Sequence, residues 1–381
     1  MARNSAWSTA VNVLNGSVGV GVLGLPYAFR LGGWWTAAVL VLCSVSALYT
    51  SQVIVKVMPS QISDEEARKL NYNYLGERAF GTFGKYISAG LQIGELVMAA
   101  VAILILLGNN VNLLSGGVLT KQQGIQMAGV VGFLLCITNP GMLSIFSTFS
   151  LLMVVMEFVL LVGEGTQLPP EHSATTTPFT DTDGMLQAFG MLMFCFSGHS
   201  MLPAQYVNMQ EPKKAPLMLM YCTLFMAGIY VSIGATGYAL YGNTVHDKFV
   251  NNFPQDNFAT QFTLVALTYN LQSTIPVVVT AVSSYLESVF MAESKLSLGA
   301  VRLIFMAAII GVACNLQDSF GTVMSVGGAS LVSMVGIGFP VMVNIKLYWV
   351  DLGAIERIWN LLLLVVSAVF AIDATVRELQ A

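Results

Sequence analysis

The stretch NVLNGSVGVGVLGLPYAF, residues 12–29, has the length of a membrane-spanning helix but contains residues that a helix tolerates poorly. It holds four glycines, at positions 16, 19, 21 and 24, and a proline at position 26. Glycine costs roughly 1 kcal/mol per helical position relative to alanine, and proline costs more. We therefore predict that this helix unwinds near residues 16–22.

Irregular backbone at membrane depth persists only where it is buried in protein or lines a cavity. An alternative is that the glycines form a close contact between two helices, since small residues let backbones approach. Gly19 and Gly21 are too close in sequence for a simple face of small residues four apart. This spacing favours the interruption.

The composition of the whole chain agrees with a membrane protein. Only 9% of the 381 residues are charged and 55% are hydrophobic, whereas soluble proteins carry about 25% charged residues. The net charge of −4 and the lack of a basic stripe disfavour nucleic-acid binding. The five cysteines all lie in apolar runs, so we expect neither a disulfide framework nor a metal site.

Eleven apolar runs are long enough to be drawn as transmembrane helices. None alternates polar and apolar residues as barrel strands do. We predict an all-α polytopic protein with one membrane domain over residues 1–381. The runs are 7–29, 33–58, 85–113, 124–139, 141–163, 184–209, 215–242, 258–288, 297–316, 319–348 and 357–376.

The basic residues predict the orientation of these spans. With the N-terminus in the cytoplasm, most lysines and arginines fall on the cytoplasmic side, and the C-terminus lies on the opposite side. The long loop 164–183 contains no Lys or Arg, as expected for the far side. The first run is too long for a cleaved signal peptide, so we expect it to be retained.

A second interruption is predicted in FCFSGHSMLP, residues 194–203, where four non-apolar residues follow one another within an apolar run. The two interruptions then fall in the first helix of each of two five-helix halves, about 7–163 and 184–348, with an extra helix at 357–376. Because five is odd, the second half is inverted. Interrupted helices at matching positions of inverted repeats indicate the binding site of a transporter.

Unwound backbone supplies the chemistry of such a site. The N-terminal end of a resumed helix carries partial positive charge and binds a carboxylate, whereas free carbonyls bind a cation or an ammonium group. An amino-acid zwitterion meets both requirements. We predict one wall of the site at Gly16, Ser17, Val18, Gly19, Val20 and Gly21, and the opposite wall at Ser197, Gly198 and His199.

Two titratable residues within the spans are candidates for the site. Glu95 lies inside the third span, where an ionisable group is costly and therefore a functional candidate. His199 lies in the second interruption and is able to titrate near neutral pH. For His199 we favour a role in the binding wall over proton coupling.

Several segments resemble the amino acid/auxin permease superfamily, most closely its vesicular inhibitory and proton-coupled branches. The resemblance implies a leucine-transporter-like fold of eleven helices, secondary active transport of amino acids, and a third helix, with Glu95, that lines the site. The segments are NGSVGVGVLGLPYAF, YLGERAFGTFGKYI leading into LQIGEL, FSGHSMLPAQYVNMQEPKK and STIPVVVTAV.

The resemblance also suggests an ion site. Sodium-coupled members of the superfamily place an Asn of the first helix and a Thr of the eighth at the ion, which here correspond to Asn15 and Thr274, with Ser273 beside it. Asn270 shares a helical face with Thr274. The alternative is that these residues only make interhelical hydrogen bonds. The coupling ion therefore stays open between H⁺ and Na⁺.

We predict a monomeric secondary transporter of a small amino acid, in the plasma membrane or a vacuolar or vesicular membrane. Its partners are the amino acid and the lipid bilayer, not nucleic acid, and it needs no cofactor beyond the coupling ion. A transporter-like amino-acid sensor and a passive channel are the alternatives. No nucleophile–base pair or metal cluster points to an enzyme.

Overall fold

A computed structural model describes residues 4–17, 20–59, 70–136, 159, 163, 174–289 and 295–380. The regular elements in these ranges are helical, which confirms the all-α class, and Asn4 and Met209 form an isolated backbone bridge. The α-helices are α1 (Ala6–Ser17), α2 (Leu25–Gly32), α3 (Thr36–Val57), α4 (Tyr72–Leu114), α5 (Lys121–Cys136), α6 (Thr182–Cys195), α7 (Leu202–Val207), α8 (Ala215–Tyr241), α9 (Phe258–Val289), α10 (Lys295–Asn315), α11 (Phe320–Gly327), α12 (Phe339–Tyr348) and α13 (Ala354–Gln380).

Within the described ranges, 7 helical stretches are long and apolar enough to cross a membrane. The chain is thus an integral, multi-pass membrane protein. The predicted span 141–163 lies outside the described residues, so the number eleven stays a prediction. The 7 stretches are Thr36–Val57, Tyr72–Leu114, Thr182–Val207, Pro212–Thr244, Phe258–Val282, Phe320–Tyr348 and Ala354–Arg377.

The first predicted interruption is present but begins later than expected. Gly16 and Ser17 still belong to α1, and a 3₁₀ segment covers Val20–Gly24 before α2 begins at Leu25. Pro26 occupies the first turn of α2, where its missing N–H costs nothing. The predicted range 16–22 therefore overlaps the interruption, but its first two residues, Gly16 and Ser17, are still helical.

The second interruption lies where the sequence predicts it. Helix α6 ends at Cys195, a 3₁₀ turn covers His199–Met201, and α7 resumes at Leu202. Gly198 has a φ of 121°, a conformation that only glycine adopts at low cost. This residue makes the local change of direction possible.

Helix α4 is one element of 43 residues with a kink at Gly81, whose φ is 65°. It packs against α5 and α9 over much of its length, and residues 100–107 are completely or almost completely buried. The helix thereby carries Gln92 and Glu95 through the middle of the bundle to the second interruption.

A third irregular stretch joins α11 to α12. Two π-helical turns, Gly328–Val332 and Met334–Gly338, lie between these helices, and π turns within helices are frequent at functional sites. The buried hydroxyl of Tyr72 donates to the Val335 carbonyl at 2.6 Å. This bond ties α4 to the π-helical stretch.

Polar contacts join several helices at one end of the bundle. Arg30 donates to the Val245 carbonyl at 2.6 Å, and Lys248 donates to the Gln317 carbonyl at 3.1 Å. Lys121 pairs with Asp318 at 2.6 Å. The loop that follows α8 is thus fixed to α2 and to the turn between α10 and α11.

Candidate functional site

The two interrupted helices meet in the core of the protein. A Cβ atom placed on Gly21 would lie 2.7 Å from both Cα and Sγ of Cys195, closer than real Cβ contacts allow. The backbone of the first interruption therefore packs directly on the end of α6. The sequence predicted each interruption, and the structure brings them together.

Part of the backbone freed by the second interruption is capped by a neighbouring helix. The Tyr230 hydroxyl on α8 donates to the Cys195 carbonyl at 3.0 Å. The ring of Tyr230 also meets that of Phe196 edge-on, with centroids 5.4 Å apart. The hydrogen bond satisfies the Cys195 carbonyl, which has no partner within the helix at this helix end. The backbone from Phe196 to Gly198 makes its contacts with other neighbours, described below.

Glu95 lies directly beside the second interruption. Its Oε1 accepts a hydrogen bond from the Gly198 N–H at 3.4 Å, and the residue is only 2% exposed. The Ser200 side chain is a further neighbour of the carboxylate, but neither Glu95 Oε2 nor Ser200 Oγ meets hydrogen-bond geometry with a described residue. One oxygen of the carboxylate is thus without a well-formed hydrogen bond to the described residues.

Gln92 makes a second contact from the same face of α4. Its Nε2 donates to the Ser200 carbonyl at 3.1 Å. Gln92 and Glu95 are three residues apart and therefore share a helical face, so α4 holds the interruption at two points.

His199 is 6% exposed and makes hydrogen bonds through both ring nitrogens. Nδ1 lies 3.1 Å from the Phe196 carbonyl oxygen. Nε2 lies 3.1 Å from the Ala47 carbonyl oxygen, 3.1 Å from Ser51 Oγ and 3.2 Å from Thr50 Oγ1. Helix α3 therefore supplies all of the described partners of Nε2.

These partners accommodate the imidazole in two protonation states. A carbonyl only accepts, so a hydrogen on Nδ1 satisfies the contact with Phe196. Nε2 is satisfied without a hydrogen, by accepting from the Ser51 hydroxyl, and with one, by donating to the Ala47 carbonyl. The site is thus compatible with gain and loss of one proton without an orphaned nitrogen.

Gly336 in the π-helical stretch leaves room for the imidazole. A Cβ on Gly336 would lie 3.2 Å from His199 Nδ1, so any larger residue would press on the ring. This contact was not predictable from the amino-acid sequence, because Gly336 is one of several glycines in an apolar run.

A cavity of about 40 Å³ borders the second interruption on the side of α8. Its polar wall consists of Ser51, Ser197, His199 and Thr223. A buried water needs roughly 10–15 Å³ of such volume and two to four polar partners. The cavity therefore suits a few water molecules.

Asn270, Ser273 and Thr274 of the predicted ion-coupling set lie on α9, which packs against α4, α5 and α10, whereas Asn15 lies on α1. The hydroxyls of Ser273 and Thr274 donate to the Asn270 carbonyl at 2.8 and 3.1 Å. Gln272 points to a different neighbour, donating to the Ala128 carbonyl of α5 at 3.1 Å. The two hydroxyl donors thus bond within their own helix, and these two bonds do not join α9 to a neighbouring helix.

Part of the predicted first wall cannot be placed. Val18 and Gly19 lie outside the described residues, as do the side chains of Asn15, Ser17 and Val20. Among the predicted residues, the structure brings Glu95, Gly198 and His199 together, and Gly21 to the same interruption. Sequence reasoning missed Gln92, Thr50 and Ser51, although polar residues within apolar runs were the available signal.

Comparisons with known proteins show which family this chain matches. The profile of the family described as "Transmembrane amino acid transporter protein" matches residues 2–377. Amino acid transporter ANT1 of Arabidopsis thaliana is 25% identical to this chain, and the alignment covers 98% of this chain and 92% of the length of ANT1. Amino acid transporter AVT1C of the same plant is 28% identical, and the alignment covers 89% of this chain and 63% of the length of AVT1C.

A solved structure shares the fold. The crystal structure of MhsT in complex with L-phenylalanine aligns with a TM-score of 0.61, covering 98% of this chain and 99% of that chain at 11% identity. MhsT has the leucine-transporter fold, so the architecture expected from the sequence is confirmed at the level of the fold.

Proposed function

Because the chain belongs to the transmembrane amino acid transporter protein family, we propose that it moves an amino acid across a membrane by alternating access. One observation carries the proposal: two interrupted helices meet in the core, at Gly21 and Cys195. Paired interruptions of this kind form substrate sites in secondary transporters, near the middle of the bilayer.

The substrate proposed is a small amino-acid zwitterion. Helix ends and free carbonyls at the interruptions offer opposite partial charges to its carboxylate and ammonium groups. At the first interruption, a Cβ added to Gly24 would lie 2.8 Å from Met191 Cε and 2.9 Å from Met324 Sδ. Such close packing favours a small side chain.

The coupling ion proposed is the proton. His199 has hydrogen-bond partners in both protonation states, and Glu95 lies across Gly198 with one oxygen that has no well-formed hydrogen bond to the described residues. A carboxylate and an imidazole on opposite sides of one interruption form a proton-binding pair whose charges compensate each other. Sodium is the alternative, through Asn15, Asn270, Ser273 and Thr274.

The orientation proposed places the N-terminus in the cytoplasm. Arg78 donates to the Val57 carbonyl, and Lys56 lies over the ring of Tyr348 at 4.3 Å. These basic residues therefore share one end of the bundle, whereas Arg30 and Lys121 make their contacts at the end of α8. An excess of basic residues marks the cytoplasmic end. Function as a monomer in the plasma membrane or a vacuolar or vesicular membrane is proposed with it.

The experiment is uptake of a panel of labelled amino acids into proteoliposomes. We expect saturable accumulation of at least one small amino acid under a proton gradient, and its loss when a protonophore is added. Accumulation driven only by sodium would overturn the proton assignment. Binding without flux would indicate a sensor, and flux that neither saturates nor follows a gradient would indicate a channel.

A further inference from the structure

Thr223 has no role in the site described above, yet it borders the cavity beside His199. It lies on α8 and is 7% exposed, and its hydroxyl makes no hydrogen bond to a described residue. Other helical hydroxyls, such as that of Ser232 on the same helix, donate to the carbonyl four residues earlier. The Thr223 hydroxyl is therefore available to a ligand in the cavity that it borders.

The shape of the cavity identifies that ligand as water. Its volume of about 40 Å³ fits roughly three waters and excludes an amino acid. Ser51 and Ala47 border the same cavity, and both are partners of His199 Nε2. Water in the cavity would therefore lie on the side of the ring where the second proton binds.

Among the titratable groups around this cavity, His199 is the one positioned to accept a proton from it, because each of the others faces a different neighbour. Two of these groups lie on α4. Glu95 contacts Gly198 on the opposite side of the interruption, and Tyr72 donates to the Val335 carbonyl. Cys195 and Tyr230 are joined through the Cys195 carbonyl, and Cys43 lies near Cys195. Cys222 of α8 borders the cavity but its thiol faces the Ala10 carbonyl at 3.9 Å.

We propose that this cavity is an internal water site through which His199 gains and releases a proton, with Thr223 as the residue that orients the water. The inference rests on the proposed proton-coupled transport. A water that has accepted a proton from the aqueous side passes that proton to the lone pair of Nε2 and is left as neutral water, and the resulting imidazolium donates to the Ala47 carbonyl. On release, the same proton returns to the water and Nε2 again accepts from Ser51.

The test compares Thr223→Val, which keeps the shape and removes the hydroxyl, with Thr223→Ser, which keeps the hydroxyl. We expect Thr223→Val to slow proton-driven uptake by about tenfold or more and to change its pH profile. Amino-acid exchange at equal pH on both sides needs no net proton movement and should persist. Thr223→Ser should restore proton-driven uptake.

Thr375→Val is the matched control, because the Thr375 hydroxyl is exposed and donates to the Ala371 carbonyl on α13. If Thr223→Val does not fold, as judged by its melting profile, Thr223→Ala removes the same hydroxyl and is tested by the same assays. Normal proton-driven uptake by the variant that lacks the Thr223 hydroxyl would overturn the inference, and so would an equal loss of uptake and exchange in that variant. Absence of gradient-driven uptake in the unmodified protein would instead overturn the proposed function.

Discussion

The backbone N–H of Gly198 donates to Oε1 of Glu95 at 3.4 Å, in the middle of the second interrupted helix. A long regular helix thereby holds the irregular backbone of another at the residue whose φ of 121° makes the interruption possible. The carboxylate is both a structural acceptor and the titratable group nearest to Gly198 on the side of α4. These two roles are separable by substitution.

Glu95→Gln should separate them, because the amide oxygen still accepts from Gly198 while the titratable proton is lost. We expect the variant to fold and to exchange amino acids, but to lose proton-driven accumulation by about tenfold or more. Uptake and exchange in proteoliposomes measure the two activities. Glu77→Gln is the control, since Glu77 is exposed and paired with Lys85 at 3.5 Å. Undiminished accumulation in Glu95→Gln would exclude Glu95 from coupling.

Gly21→Ala should destabilise the meeting point of the two interruptions. The added Cβ would lie 2.7 Å from the Cys195 backbone, which cannot move without shifting α6, and overpacking of this kind costs roughly 1–3 kcal/mol. Melting curves in detergent give the change in stability. Gly90→Ala on α4 meets nothing within 4 Å, so it should be neutral or stabilising. Equal melting of the two variants would contradict the close approach.

Gly336→Ala should alter the site with little effect on the fold. Its Cβ would lie 3.2 Å from His199 Nδ1, so the imidazole must shift away from the Phe196 carbonyl. We expect uptake to fall by about tenfold, equivalent to 1.4 kcal/mol, with near-normal melting. Gly311→Ala on α10, where a Cβ meets nothing within 4 Å, is the control. Uptake equal to that control would remove Gly336 from the site.

The ion pair between Lys121 and Asp318 should make stability sensitive to acid. The hydrogen bond from Lys121 lowers the pKa of the Asp318 carboxyl below its usual value, which is about 3.9. The stabilisation is therefore fully present above that value and is lost as the pH falls through the lowered pKa. Because the Asp318 side chain is 68% exposed, the effect should be small and screened by salt.

Melting measured from neutral to acidic pH tests this pair. Lys121→Gln should melt slightly below the unmodified protein at neutral pH, and the two curves should converge below the usual pKa of an aspartate. A difference that grows on acidification would show that the pair stabilises the protein by another route.

Asn360→Leu should loosen the attachment of α13 to the rest of the bundle. Asn360 is fully buried; it donates to the Tyr49 hydroxyl at 2.5 Å and accepts from Asn344 at 3.2 Å. Leucine would remove both of these hydrogen bonds and leave Tyr49 and Asn344 only the bond between them, at 3.1 Å, at a cost of about 1 kcal/mol for each bond lost. Asn315→Leu is the control, because Asn315 is exposed on α10. A melting temperature equal to that of the control would show that this cluster contributes nothing.

Much of the helical framework was predictable because membrane helices must satisfy their own backbone. The apolar run 215–242 corresponds to Ala215–Tyr241, and 258–288 to Phe258–Val289. The length of α4 was not predictable in the same way: its first turns precede the apolar run, and Gly81 bends it without ending it.

The sequence by itself determined approximately where the two helices are interrupted, because Gly198, Gly21 and Pro26 have local backbone preferences that disfavour a continuous helix. Only the tertiary structure decided which side chains serve the interruptions: the contacts of His199 with Ser51 and Gly336 join positions more than one hundred residues apart. Between helices in a membrane, partners are selected by close packing and interhelical hydrogen bonds. Those interactions leave no periodic mark in the amino-acid sequence.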